Sequence, residues 1–150
     1  MKRWLVTLIP ALALFVAAAA GAADRNQHKR VGGIDVYYGI MPAAIAGEHP
    51  APHPEKSMHR GAPSGKDRYH LVVALVGADG QRINDAKVEA TVGELGMAGR
   101  RVTLEAMPVA DAMSYGNYVT LKGRGPYRIA IEAHLPGRER PLEALFDYRR

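Results

Sequence analysis

The sequence predicts an all-β protein, an antiparallel β-sandwich of about seven to eight short strands. Three observations predict it. From residue 34 onward apolar residues recur with a period of two in one run after another. Gly, Pro and Asp separate those runs at turn positions. No stretch after residue 23 sustains a 3.6-residue apolar period over the length of a helix. Regularly punctuated short strands of this kind are the pattern of two packed sheets.

Residues 1–23 are expected to be a cleaved secretory signal. Lys2-Arg3 precede an apolar run from Leu5, and Ala20-Gly21-Ala22-Ala23 supply small residues for cleavage. The apolar run is short for a membrane span and is interrupted by Pro10. Of the 150 residues, about 127 then remain, enough for one domain. Losing Lys2 and Arg3 lowers the formal charge from +5 to about +3, ordinary for solubility and no footprint for nucleic acid. No second apolar stretch follows, so no integral membrane segment is expected after cleavage. The destination is periplasmic or secreted.

Residues 24–41 form an N-terminal segment with the first strand. Ile34, Val36, Tyr38 and Ile40 alternate with Asp35, Tyr37 and Gly39, after a turn at Gly32-Gly33. Residues 42–66 break the pattern with Pro42, Pro50, Pro52, Pro54 and Pro63, three His, and hardly a large aliphatic residue. This stretch reads as an extended, polyproline-like loop or linker. Residues 67–150 hold the sandwich. Tyr69–Val76 is nearly all apolar, as in a central strand buried on both sides. Ala86, Val88, Ala90 and Val92 alternate with polar residues; Val102–Ala106 make the next strand, followed by a loop over residues 107–114. Tyr115–Leu121, Tyr127–Ala133 and Leu142–Tyr148 complete the set, with turns at Gly123–Pro126 and Pro136-Gly137. The Arg pairs 100–101 and 149–150 read as solvated edges and a tail.

The chain has no Cys. That excludes a lipoprotein anchor, a disulfide framework, Cys-based zinc sites and thiol catalysis. Enzyme readings find no support: Ser57, Ser64 and Ser114 lie in no G-x-S-x-G setting, and no dinucleotide, phosphate-loop or H-E-x-x-H motif occurs. What stands out is His and Met. Without thiolate, any soft metal must be held by thioether and imidazole, the ligands expected for copper in an oxidising compartment. One grouping lies in the loop: His49, His53, Met58 and His59. Prolines hold its backbone extended, so it reads either as a mobile metal collector or as a polar linker that contains His. The other grouping is His70, at the start of an apolar strand, with Met107 and Met113. Here the alternatives are a metal site or a buried His satisfied by a carbonyl, with both Met as packing. A shared site requires side-chain ends within about 7 Å of one another, since metal–ligand bonds are near 2.0–2.3 Å.

The run Met107-Pro108-Val109-Ala110-Asp111 through Tyr115-Gly116-Asn117, then Leu121-x-Gly123-x-Gly125-Pro126-Tyr127, resembles the periplasmic Ig-like proteins associated with high-affinity iron transport. The stretch Gly80–Val88 is also similar to exported Ig-like modules of the YtkA and FixH type. The first resemblance implies an Ig-like β-sandwich with a copper site of His and Met, and in some members a dimer. It implies His70 and Met107 as ligands. Val72 stands where that pattern has a carboxylate, and Ser114 where it has a His before Tyr-Gly. Met113, one position from the lost His, is the substitute expected, with His134 a weaker one. The expectation is an exported soluble metal-binding carrier or accessory protein, not an enzyme, most simply for copper and supporting iron or copper transport. Its partners would be the metal ion, a membrane transporter or a second copy of itself, and no nucleic acid. The competing reading is a metal-free structural or protein-interaction sandwich.

Overall fold

The computed structural model describes residues 27–47, 63–109 and 111–150. It contains β1 (His28–Val31), β2 (Ile34–Pro42), α1 (Ala43–Gly47), β3 (Arg68–Val76), β4 (Lys87–Glu94), β5 (Arg100–Val109), β6 (Ala112–Thr120), β7 (Tyr127–His134) and β8 (Leu142–Tyr148). Every strand pairing is antiparallel, in the spatial order β1-β2-β3-β6-β5-β4-β7-β8. β5 bends this series into two facing halves. Its first part, through Leu104, pairs with β4, and its second, from Glu105, pairs with β6. The all-β sandwich expected from the alternation is the fold observed.

The core lies between the halves. Val36 and Tyr38 of β2, Leu71, Val73 and Leu75 of β3, and Tyr115 and Val119 of β6 meet Val88 and Ala90 of β4, Ile129 and Ile131 of β7, and Ala144 and Phe146 of β8. These are the alternate positions the two-residue period selects. Tyr115 also ties down the segment before β4: its hydroxyl donates to Ile83 O at 2.9 Å and accepts from Ala86 N at 3.0 Å. Burial pushes its phenol above the ordinary 10; the Ala86 N–H opposes this and the nearby Asp85 carboxylate adds to it. At the start of β7 the Tyr127 hydroxyl donates to the Lys122 carbonyl, the backward phenol contact known as a tyrosine corner in Ig-like sandwiches.

The structure corrects several sequence expectations. β1 is a strand although three of its four residues are polar and exposed. The Gly32-Gly33 turn, with φ of 56° and 81°, closes a two-residue hairpin that pairs Val31 with Ile34. The expected loop over 107–114 is mostly ladder: Val109 pairs with Ala112, so β5 and β6 extend almost to the turn. Alternation is masked there because the apolar and polar residues do not follow the faces. α1 interrupts the stretch expected to be extended, packing on β2 and β3 with Ala43 and Ala46 fully buried. β3 is not buried on both sides throughout, since Val72, Ala74 and Val76 are only half-buried. Arg150 is no loose tail: Nη1 donates to Asp67 Oδ1 at 2.9 Å and to the Gly123 carbonyl at 3.0 Å, and Nη2 to the Lys66 carbonyl at 3.1 Å. The signal segment lies outside the described residues. Among the described residues, no helix is long and apolar enough to cross a membrane.

Candidate metal centre

Residues paired directly across an antiparallel ladder project to the same face, and alternate residues share it. β3 and β6 pair His70 with Tyr118 and Val72 with Gly116. β5 and β6 pair Met107 with Ser114, and β2 and β3 pair Met41 with His70. His70, Met107, Ser114, Gly116, Tyr118 and Met41 therefore lie on one face, the one turned away from the core between the halves. His70 is nonetheless 1% exposed and Met107 0%, and neither belongs to the main core cluster.

Gly116 is what lets them approach. A Cβ at residue 116 would lie 2.7 Å from Met107 Sδ and 3.1 Å from His70 Nε2. Sulfur and ring nitrogen thus flank one point, and the two distances together hold their separation below the limit of about 7 Å set by metal–ligand bond lengths. The His70 ring is tilted against Tyr118, with centroids 5.0 Å apart. Ser114 Oγ, across the ladder from Met107, accepts from Arg82 Nη2 at 3.4 Å. Chemically this is a buried pair of one imidazole nitrogen and one thioether. Such a pair suits a soft cation far better than a hard one.

Of the residues singled out in the sequence, the structure brings His70 and Met107 together. Met113 pairs with Pro108 beside the β5–β6 turn, one residue before Ser114, and the pleat directs it to the opposite face. His49, His53, Met58 and His59 lie outside the described residues. Sequence reasoning missed Met41, Tyr118 and the role of Gly116. Met41 continues the alternation of Tyr37 and Gly39, which marks its face, but only the register of β2 on β3 sets it opposite His70.

A second His cluster lies on the outer face of the other half. Donor atoms of Glu89, Glu132 and His134 all fall within 4.8 Å of one another. The β4–β7 register sets the two carboxylates directly opposite. Arg101 bridges them, at 3.2 Å to Glu89 and 2.9 Å to Glu132, and His134 Nε2 is 3.0 Å from Glu132 Oε1. The Arg100–Arg101 pair is therefore not simply a solvated edge, because Arg101 already neutralises the carboxylates a cation would need.

No family model matches the chain, and no curated protein matches it in sequence. Solved structures do match it in fold. A copper-bound glutamate-to-glutamine variant of FetP from uropathogenic Escherichia coli strain F11 superimposes with a TM-score of 0.62 at 14% identity, covering 83% of this chain and 93% of that one. A copper-bound glutamate-to-glutamine variant of Campylobacter jejuni P19 gives 0.59 at 13% identity, covering 82% and 93%. A DUF4426 family protein from Pseudomonas aeruginosa PAO1 gives 0.51 at 17% identity, covering 83% and 94%. At these identities the likeness is one of fold, and it is the fold expected from the resemblance in sequence.

Proposed function

We propose that this chain is an exported, periplasmic copper-binding carrier or accessory protein of an iron or copper transport system, and not an enzyme. The observation that carries the reading is the approach of His70 Nε2 and Met107 Sδ to the same point beside Gly116, on a buried face. Two structural neighbours, FetP and P19, were crystallised with copper, which supports the choice of metal. His70 and Met107 would be the core ligands. A thioether in the set favours Cu(I).

The third ligand is Met41, which the ladder sets across from His70, rather than Met113, which lies next to the position where the related pattern has a His but on the opposite face of the sheet. His49, His53, Met58 and His59 would act as a collector that passes the ion inward. A membrane transporter or a second copy of the chain is the partner such a carrier implies. X-ray absorption of the Cu(I)-loaded protein tests the reading. Sulfur and imidazole scatterers in the first coordination sphere are expected, and Met41→Ala against Met113→Ala identifies the third ligand by which one removes a sulfur. Nitrogen and oxygen scatterers alone would move the metal to the His loop. Failure to load any copper would leave the metal-free interaction module.

A further inference from the structure

β5 serves both halves of the sandwich, and it must therefore part from β6. The two strands pair from Glu105–Gly116 to Val109–Ala112; upstream of Glu105, β5 runs with β4 instead. Asn117 holds the fork. Its Nδ2 donates to the Thr103 carbonyl at 2.7 Å, and its Oδ1 accepts from Tyr118 N at 2.7 Å. Beyond the fork the diverging strands enclose a cavity of about 140 Å³, lined by Arg68, Arg100, Arg101, Tyr118 and Thr120 together with three valines. No carboxylate is among its lining residues.

The three guanidiniums are not equivalent. Arg101 is held by Glu89 and Glu132. Arg68 donates through Nη1 to Thr120 Oγ1 at 2.6 Å, while its Nε–H is sealed from solvent without a hydrogen-bond partner among the described residues. Arg100 forms no ion pair among the described residues; it also borders an adjoining cavity with Lys122 and a carboxylate, Glu94. A buried N–H left without an acceptor costs about 1–3 kcal/mol. A guanidinium fork is shaped to give two parallel hydrogen bonds to a carboxylate or phosphate.

We propose that this cleft is a binding site for a small oxyanion, held by Arg68 and Arg100 with Thr120. The class follows from charge and size. Unpaired guanidiniums without a lining carboxylate select an anion, and the volume is well below the roughly 300–1,000 Å³ of sites for drug-sized ligands. One carboxylate or phosphate group fits. The site does not depend on the metal reading, although Tyr118, whose ring lies against His70, also lines the cleft.

The test uses the full chain, stripped of metal by chelation, with chloride at matched ionic strength as reference. Inorganic phosphate, acetate and citrate are titrated separately while the Arg68 Nε–H and Thr120 amide NMR signals are followed. A saturable shift with phosphate alone marks a phosphoryl site, one with acetate or citrate alone a carboxylate site, and one with both a general oxyanion site; each upholds the proposal. Arg100→Gln and Arg68→Lys should each weaken binding at least tenfold, and Arg124→Gln, outside the cleft, should change it less than twofold. If Arg68→Lys fails to fold, Arg100→Gln decides. Shifts no larger than chloride produces, or equal weakening by Arg124→Gln, would overturn the proposal.

Discussion

The two outer faces of the sandwich each carry a histidine, and they are built from opposite chemistry. On the β3–β6 face, His70 is buried beside a thioether and a phenol ring. On the β4–β7 face, His134 is 47% exposed among two carboxylates and a guanidinium. The first environment offers polarizable donors, an imidazole and a thioether that approach the same point beside Gly116. The second is a surface ion-pair lattice in which Arg101 already fills the cation's role. Burial and softness, rather than the mere presence of His, distinguish a metal-ligand environment from an ordinary strand surface.

Substitutions on either side of one strand sharpen that contrast. Leu71 and His70 are neighbours on β3, one facing the core and the other away from it. Leu71→Ala leaves a cavity in the fully buried core and should cost about 2–5 kcal/mol in chemical denaturation, while copper stoichiometry below the transition stays unchanged. A loss of copper binding without unfolding would show that the two faces are not separable. Gly116→Ala forces a Cβ against Met107 Sδ and His70 Nε2, with an expected loss of about 1–3 kcal/mol and weaker Cu(I) binding. Unchanged affinity in that variant would mean the approach at Gly116 has no part in the site.

Tyr115→Phe removes the hydroxyl that serves Ile83 and Ala86 and should cost about 1–1.5 kcal/mol by thermal melting. It also carries a pH signature. Burial raises the folded-state pKa of Tyr115, so the folded chain holds that proton to higher pH than the unfolded chain does. Its contribution is complete below the unfolded value near 10 and is lost as pH rises through the higher folded value. Melts across that alkaline window should fall less steeply for Tyr115→Phe than for wild type. The smallest effect is on the charged face. Arg101→Ala leaves Glu89 and Glu132 facing each other and should cost no more than about 1 kcal/mol, shrinking in salt. A larger, salt-independent loss would place that face in a structural role.

The fold was legible because burial imposes the two-residue period on β2, β4, β7 and β8, from Ile34–Tyr38 to Leu142–Phe146, and a nearly continuous apolar run on β3. β1 escaped because only Val31 of this short edge strand packs on the core, too little to mark a period, and only Gly32-Gly33 betrayed its hairpin. The end of β5 escaped because Pro108 and the adjacent small residues imitate a loop. Of the candidate site, His70 and Met107 were readable as residue types, and their likeness to a known pattern singled them out. What brings them together was not readable. It is a cross-strand register, fixed by pairings far apart in the chain, and a glycine whose missing side chain matters only once that register is set. The same register turns Met113 away and sets Met41 opposite His70. The oxyanion cleft is likewise a product of topology, since no local pattern announces that β5 will leave β6 for β4.

If His70 and Met107 together hold a soft metal, removing both side chains must abolish its tight site. Cu(I) titration of the purified protein against a competing chelator, wild type beside the His70→Ala plus Met107→Ala double variant, tests it most directly. One tight site is expected in the wild type and should be lost in the double variant, leaving at most weaker binding by His49, His53, Met58 and His59. Equal stoichiometry and affinity in the two proteins would contradict it.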